Sequence, residues 1–167
     1  MCSSDLAADR KEVPERMKLQ AWILHLVCSV AAGAEGADPR TPVVTRLVMP
    51  SGAGRFAAVD AAQARQQLSH LVHGLRQGRS RPLPFFPITS AVLAKGDASS
   101  EAELLAKAEK EFLPDDYGSF PSESEDAHVK LCWRGQDLFA GALAAEMKAI
   151  AESVWCPALA AWQEEKE

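Results

Sequence analysis

From Pro14 onward, Leu19, Trp22, Ile23, Leu26, Val27 and Val30 recur at three- and four-residue spacing, which places them on one face of a helix. Gly33 and Gly36 follow as its stop signals. Val43 to Met49 is rich in β-branched residues. It is followed by Pro50-Ser-Gly-Ala-Gly54 and then Arg55 to Val59, which predicts a hairpin with a glycine-containing loop. Asp60 suits the N-cap of a second helix with Ala61, Ala64, Leu68, Leu71, Val72 and Leu75 as its buried seam. His70 and His73 fall off that seam, and Gly74 and Gly78 end the pattern.

The segment Arg81-Pro-Leu-Pro-Phe-Phe-Pro87 must be extended, because each proline fixes φ and biases its predecessor away from helix. Phe85 and Phe86 are expected to plug a groove. Ser100, with Glu103 three residues on, forms a capping-box pattern opening a third, charged helix from Glu101 to Phe112, which Pro114 stops. Asp115 to Asp126 is polar and acidic, as in a surface loop. Val129, Leu131 and Trp133 alternate with Lys130, Cys132 and Arg134, as in a half-buried strand. A last helix starts near Ala140 with Leu143, Met147, Ile150 and Val154 as its seam, and Pro157 interrupts it. This order predicts an α+β domain with a small sheet flanked by helices. Residues 1–13 lack a hydrophobic period and read as a disordered or non-native start, 14–163 as the domain, and 164–167 as a tail.

Composition narrows the class. The chain has 167 residues, 47% of them apolar and 25% charged, enough for one domain with a real core. The apolar stretch Trp22 to Val27 is too short to span a bilayer, and the start lacks the order of a secretory signal. Cysteines 2, 28, 132 and 156 are spaced too widely for a metal knuckle, so a reducing cytoplasm is the expected compartment. Cys28, Cys132 and Cys156 are expected to be buried thiols. The net charge of -5 argues against an autonomous nucleic-acid binder. That total hides a polarity. Arg46 to Arg81 holds six arginines against Asp60 alone, whereas Asp97 to Asp126 holds ten acids against Lys107 and Lys110.

Several stretches taken in order resemble the carboxyl-terminal domain of RecC proteins, the gamma subunit of exodeoxyribonuclease V. They are Leu19-Gln-Ala-Trp-Ile-Leu-His-Leu26, the hairpin ending Arg55-Phe56, the helix ending Gly74-Leu-Arg-Gln-Gly78, Arg81 to Pro87, and Leu131-Cys-Trp-Arg-Gly135 with Leu143 to Pro157. The residues carrying the likeness include Gln20, Trp22, His25, Phe85, Phe86, Trp133, Arg134 and Gly135. The resemblance covers residue 17 to about residue 160, and the first dozen residues do not share it. It implies a partial, degenerate restriction-endonuclease-like domain of the PD-(D/E)XK type that has lost its metal-binding acids. It further implies a non-catalytic scaffold part of a RecBCD-type helicase-nuclease in double-strand-break repair and homologous recombination, with RecB-like and RecD-like partners and DNA met through the assembled complex. RecC proteins are several times longer, so the chain is expected to be a fragment whose early core strands are encoded upstream.

Catalytic chemistry is expected to be absent. Metal-dependent DNA cleavage needs an Asp and a Glu/Asp-x-Lys on adjacent strands, with the carboxylates on the metal and the lysine orienting water. The pattern Glu-x-Lys occurs at Glu146-Met-Lys148 and Glu164-Glu-Lys166, in or after the last helix, where the support is wrong. In active relatives of the resembled fold a helical Gln is followed by Tyr four residues on, but here Gln20 is followed by Leu24. His70 and His73 could grip a metal from one helix face, yet no third ligand is evident. Gly52-Ala-Gly54 lacks the third glycine and acid of a dinucleotide site. No catalytic, cofactor-binding or metal residue is therefore assigned, and Arg76, Arg79 and Arg81 are the candidate DNA or phosphate contacts. Two rival readings remain: an independent metal-dependent nuclease or DNA-binding domain, and a small-ligand domain in which Phe85 and Phe86 line an open pocket.

Overall fold

The computed structural model describes residues 13–33, 42–50, 52–114 and 122–165. The expected start at 1–12, the stop at Gly36, Ser51 of the hairpin loop, most of the Asp115 to Asp126 loop, and Lys166 lie outside them. The first helix, α1 (Glu15–Ala32), forms as its spacing predicts, but the inward face is Lys18, Ala21, Trp22, His25, Leu26 and Ser29. Ile23 and Val27 point outward with Leu24, so the apolar stripe is wider than the surface it buries.

The hairpin is tighter than the sequence suggests. Strands β1 (Thr45–Met49) and β2 (Gly52–Phe56) pair antiparallel with Met49 opposite Gly52, which puts both glycines in the strand rather than in the loop. Gly54 is required there by contact: a Cβ on it would sit 2.2 Å from the Trp162 ring. That ring belongs to a third strand, β3 (Trp162–Glu165), which pairs with β2 to complete a sheet ordered β1-β2-β3. The supposed tail thus contributes Glu164 and Glu165 to the sheet. Trp-Gln-Glu-Glu carries no apolar alternation, so its strand state comes from pairing and from the edge contact of Trp162 on Phe56, at 4.9 Å between centroids.

Asp60 caps α2 (Ala61–Gly78) as expected, accepting from Ala62 N and Gln63 N at 2.9 and 3.0 Å. Its seam is less buried than predicted. Only Ala64 is fully enclosed, Leu68 and Leu71 are half-buried, and Val72 and Leu75 are exposed. Gly74 lies inside the helix. The start of α2 meets the end of α1 so closely that a Cβ on Gly33 would come within 2.2 Å of Ala61 Cβ.

The sequence reading misses the helix at the centre. After the extended run to Phe86, α3 (Pro87–Lys95) opens with proline at its first position, where the absent N–H costs nothing, and ends at Gly96 with φ 63°. Thr89, Ser90, Ala91 and Leu93 are all buried. A helix enclosed on most sides shows no amphipathic stripe, and its Ile, Thr and Val lower local helix propensity, so periodicity could not reveal it. It packs along α6 (Gly141–Ala161) and also against α4 (Glu101–Phe112) and α1. Ser100 caps α4 by accepting from Glu103 N, while the Glu103 carboxylate reaches back to Ser99 rather than to Ser100.

Two further expectations are corrected. Residues Val129 to Arg134 are not a strand but mainly α5 (Ala127–Cys132), because Asp126 caps it by accepting from His128 N and Val129 N at 2.8 and 3.2 Å. The alternation did not mark a buried face either, since Leu131 is 68% exposed. Pro157 does not interrupt α6. The helix continues to Ala161 because Trp155 and Ala158, on either side of the proline, remain buried in the core.

The core has two clusters that share α3 and α6. In the first, Trp22, Leu26, Phe56 and Ala64 meet Ala91 and Trp155; in the second, Phe86, Leu104 and Phe112 meet Leu93 and Met147. Cys28, Cys132 and Cys156, expected to be buried, are exposed. No helix among the described residues is long and apolar enough to cross a membrane.

Trp22 is 2% exposed, so Trp22→Ala is expected to cost about 3 kcal/mol or more by leaving a cavity its neighbours only partly fill. An unchanged denaturant midpoint would contradict that packing. Gly54→Ala should cost about 1–3 kcal/mol by driving a methyl into the Trp162 ring, read as a lower melting temperature and altered tryptophan fluorescence.

Candidate functional site

The aromatic residues carrying the family likeness are buried or half-buried. Trp22 and His25 are buried on α1 and stack on one another with ring centroids 5.6 Å apart, and His25 also stacks on Phe56 at 5.7 Å. The His25 Nδ1 lies 3.0 Å from Thr45 Oγ1, which ties α1 to β1, while Nε2 is buried and meets no hydrogen-bond partner of good geometry among the described residues. Burial lowers the pKa of this imidazole below its ordinary value, opposed by a backbone contact at Ala57. Phe86 is buried in the second cluster and half-buried Phe85 packs on the first, so the pair fills the core rather than lining an open pocket. Trp133 is half-buried with its edge toward Phe86, and Gln20, Arg134 and Gly135 are exposed.

One acid in the charged segment is not on the surface. Glu123, in a single 3-10 turn (Glu123–Glu125), is 4% exposed and accepts from Ile88 N at 3.0 Å and from Thr89 N and Oγ1 at 2.9 and 2.8 Å. It caps α3 from a distant part of the chain, and Arg16 stands 3.8 Å away. Sequence reasoning missed it because no local motif links residues 34 or 35 apart. The acids with lowered pKa are likewise engaged in caps. Hydrogen bonds from Ser99 and Lys107 hold Glu103 at about 2, and those from Val129 and His128 backbone N–H groups lower Asp126.

The candidate nuclease acids serve as ties between elements. Glu146 is paired with Arg81 at 2.5 Å, an interaction that raises the arginine's pKa further, and Lys148 is paired with Glu101 at 3.1 Å. Glu164 in β3 stands 3.9 Å from buried Lys18, whose ammonium also lies over the Trp162 ring at 5.4 Å. Glu15 pairs with both Lys18 and Lys95, drawing α1 and α3 together. Among the described residues, no group of three His, Cys, Asp or Glu side chains is placed to hold a metal ion.

Of the three candidate phosphate contacts, Arg81 is therefore occupied, while Arg76 and Arg79 are exposed at the end of α2. Arg76 belongs to a larger surface: Arg65, Leu68, Ser69, Val72, His73 and Arg76 line a shallow groove of about 380 Å³ along the outside of α2. Among the described residues no carboxylate lies within ion-pair distance of Arg65, Arg76 or Arg79. This cationic, part-apolar face is the strongest candidate for an interaction site. Its charge was legible in the sequence, whereas the exposure of Val72 and Leu75 was not.

Comparison with known proteins matches residues 8–98 to the family described as the RecC C-terminal domain, a span that begins ahead of α1 and ends after α3. The match thus starts earlier than the likeness read from the sequence and stops short of Trp133, Arg134 and Gly135. A curated relative, the RecBCD enzyme subunit RecC of Escherichia coli (strain K12), is 32% identical over 126 residues, covering 70% of this chain. The aligned part is 10% of that protein, so the chain spans about a tenth of its relative's length.

Because His25 is neutral in the core and its folded pKa lies below the ordinary 6.5, the unfolded chain takes up the proton first as pH falls. The stability of the neutral state is therefore complete above about pH 6.5 and declines below it until the folded state is protonated as well. Urea midpoints should fall between pH 7.5 and about pH 5, and His25→Phe should flatten that decline. An equal slope in both proteins would show that His25 is not its source.

Proposed function

Since the chain belongs to the RecC C-terminal domain family, we propose that it acts as a non-catalytic scaffold and interaction part of a RecBCD-type helicase-nuclease in double-strand-break repair and homologous recombination. Its partners on this reading are RecB-like and RecD-like subunits, with DNA met through the assembled complex in the cytoplasm. The match over residues 8–98 carries the proposal. The use of the acids supports it: Glu146, Glu123 and Glu164 each join elements of the fold, in positions where ion pairs and caps hold a scaffold together.

A degenerate restriction-endonuclease-like ancestry accords with a small sheet flanked by helices and with Glu146-Met-Lys148 on a helix, paired to Arg81 and Glu101. Two strand-borne carboxylates near a common cation are what such chemistry requires. Here the acids of β3, Glu164 and Glu165, pair with Lys18 and Arg46.

Co-expression with RecB-like and RecD-like chains should yield a complex that retains this chain through size exclusion, and a chain that elutes alone would contradict the assembly reading. With magnesium or manganese, the purified chain should leave single- and double-stranded DNA intact. Metal-dependent degradation abolished by substituting one of its acids would falsify the non-catalytic assignment.

A further inference from the structure

We propose that the outward face of α2 is a docking surface for an acidic amphipathic helix of a neighbouring subunit. The helix sequence from Ala61 to Gly78 contains no carboxylate, in a chain whose net charge is -5. Arg65, Ser69, Val72 and Arg76 follow one another at three- and four-residue intervals, so they form a stripe along the helix. Val72 is 44% exposed between the two arginines, and Leu75, 68% exposed, lies beside the stripe. The groove of about 380 Å³ along this stripe could receive the apolar side chains of a second helix, whose acids would meet guanidinium groups at either end.

The mixture of charge and apolar surface selects the partner. A phosphate backbone would leave Val72 and Leu75 in water, no Phe, Tyr or Trp lines the groove as a stacking platform for bases, and the chain as a whole repels a polyanion. A helix carrying leucines flanked by glutamates satisfies both features at once, because burying the apolar pair adds to the arginine contacts. The inference rests on the subunit reading above and names the chemistry of the partner that one face meets.

The direct test titrates the intact chain with a fluorescent peptide of about 20 residues, leucines at helical spacing and glutamates beside them. Single- and double-stranded DNA of similar mass serve as competing probes. Saturable peptide binding is expected, weakened about tenfold or more by Arg65→Glu with Arg76→Glu and several-fold by Val72→Ser. Both variants should keep the wild-type circular dichroism and melting temperature, as their side chains are exposed. Absence of saturable peptide binding would overturn the proposal. So would DNA binding that the arginine reversal removes and Val72→Ser leaves intact, or a dimer that Val72→Ser dissociates, which would assign the face to a second copy. The arms separate from the assembly test: a chain that joins the subunits yet ignores the peptide refutes this inference alone, and one that binds the peptide yet elutes alone refutes the assembly reading alone.

Discussion

The first amides of α3 point into the protein interior, where water cannot satisfy them, and the preceding residue, Phe86, has no side chain able to cap them. Glu123 supplies the missing acceptors, both carboxylate oxygens being used on Ile88 and Thr89. A carboxylate at a helix N-terminus also opposes the positive end of the helix dipole, so the contact compensates for burying its charge. The helix so fixed packs against α6, α4 and α1. Ala91 enters the cluster built by α1, the sheet and α2, while Leu93 enters the one built with α4. Loss of the cap would loosen one of the two helices, α3 and α6, that both clusters share.

The proposed function, which rests on the family match, accords with how the interior is used. Trp22, His25 and Phe86 carry much of the family likeness, and all three are packing residues. The acids that could suggest metal chemistry are joined to arginine, lysine or backbone N–H groups. Surfaces available to other molecules among the described residues include the arginine and valine stripe of α2 and the apolar Ile23, Leu24 and Val27 on α1. Surfaces of this kind are suited to holding neighbouring chains, in keeping with the proposed place in a larger assembly.

Elements with a local signal were legible in the sequence. Asp60 and Ser100 announced α2 and α4 because a cap bonds within three residues, and the three- and four-residue apolar spacing announced α1. Elements stabilised from afar were not. The α3 helix has apolar residues on most sides and a cap 34 residues away, and β3 takes its form from β2 and from the fit of Trp162 over Gly54. At α5 the alternation of apolar residues gave the wrong answer because the Asp126 cap satisfies the first amides of a helix there. The site divides the same way: the arginines could be counted, but the exposure of Val72 depended on how far α1 covers α2, which no local pattern encodes.

Native-state amide hydrogen exchange tests the central position of α3 most directly, comparing the protein with its Glu123→Ala variant. The account predicts that Thr89 to Leu93 exchange among the slowest amides in the native protein, together with the middle of α6, and that removing the carboxylate accelerates α3 in both core clusters. Exchange at α3 as fast as at the exposed end of α2, or protection unchanged in the variant, would contradict it.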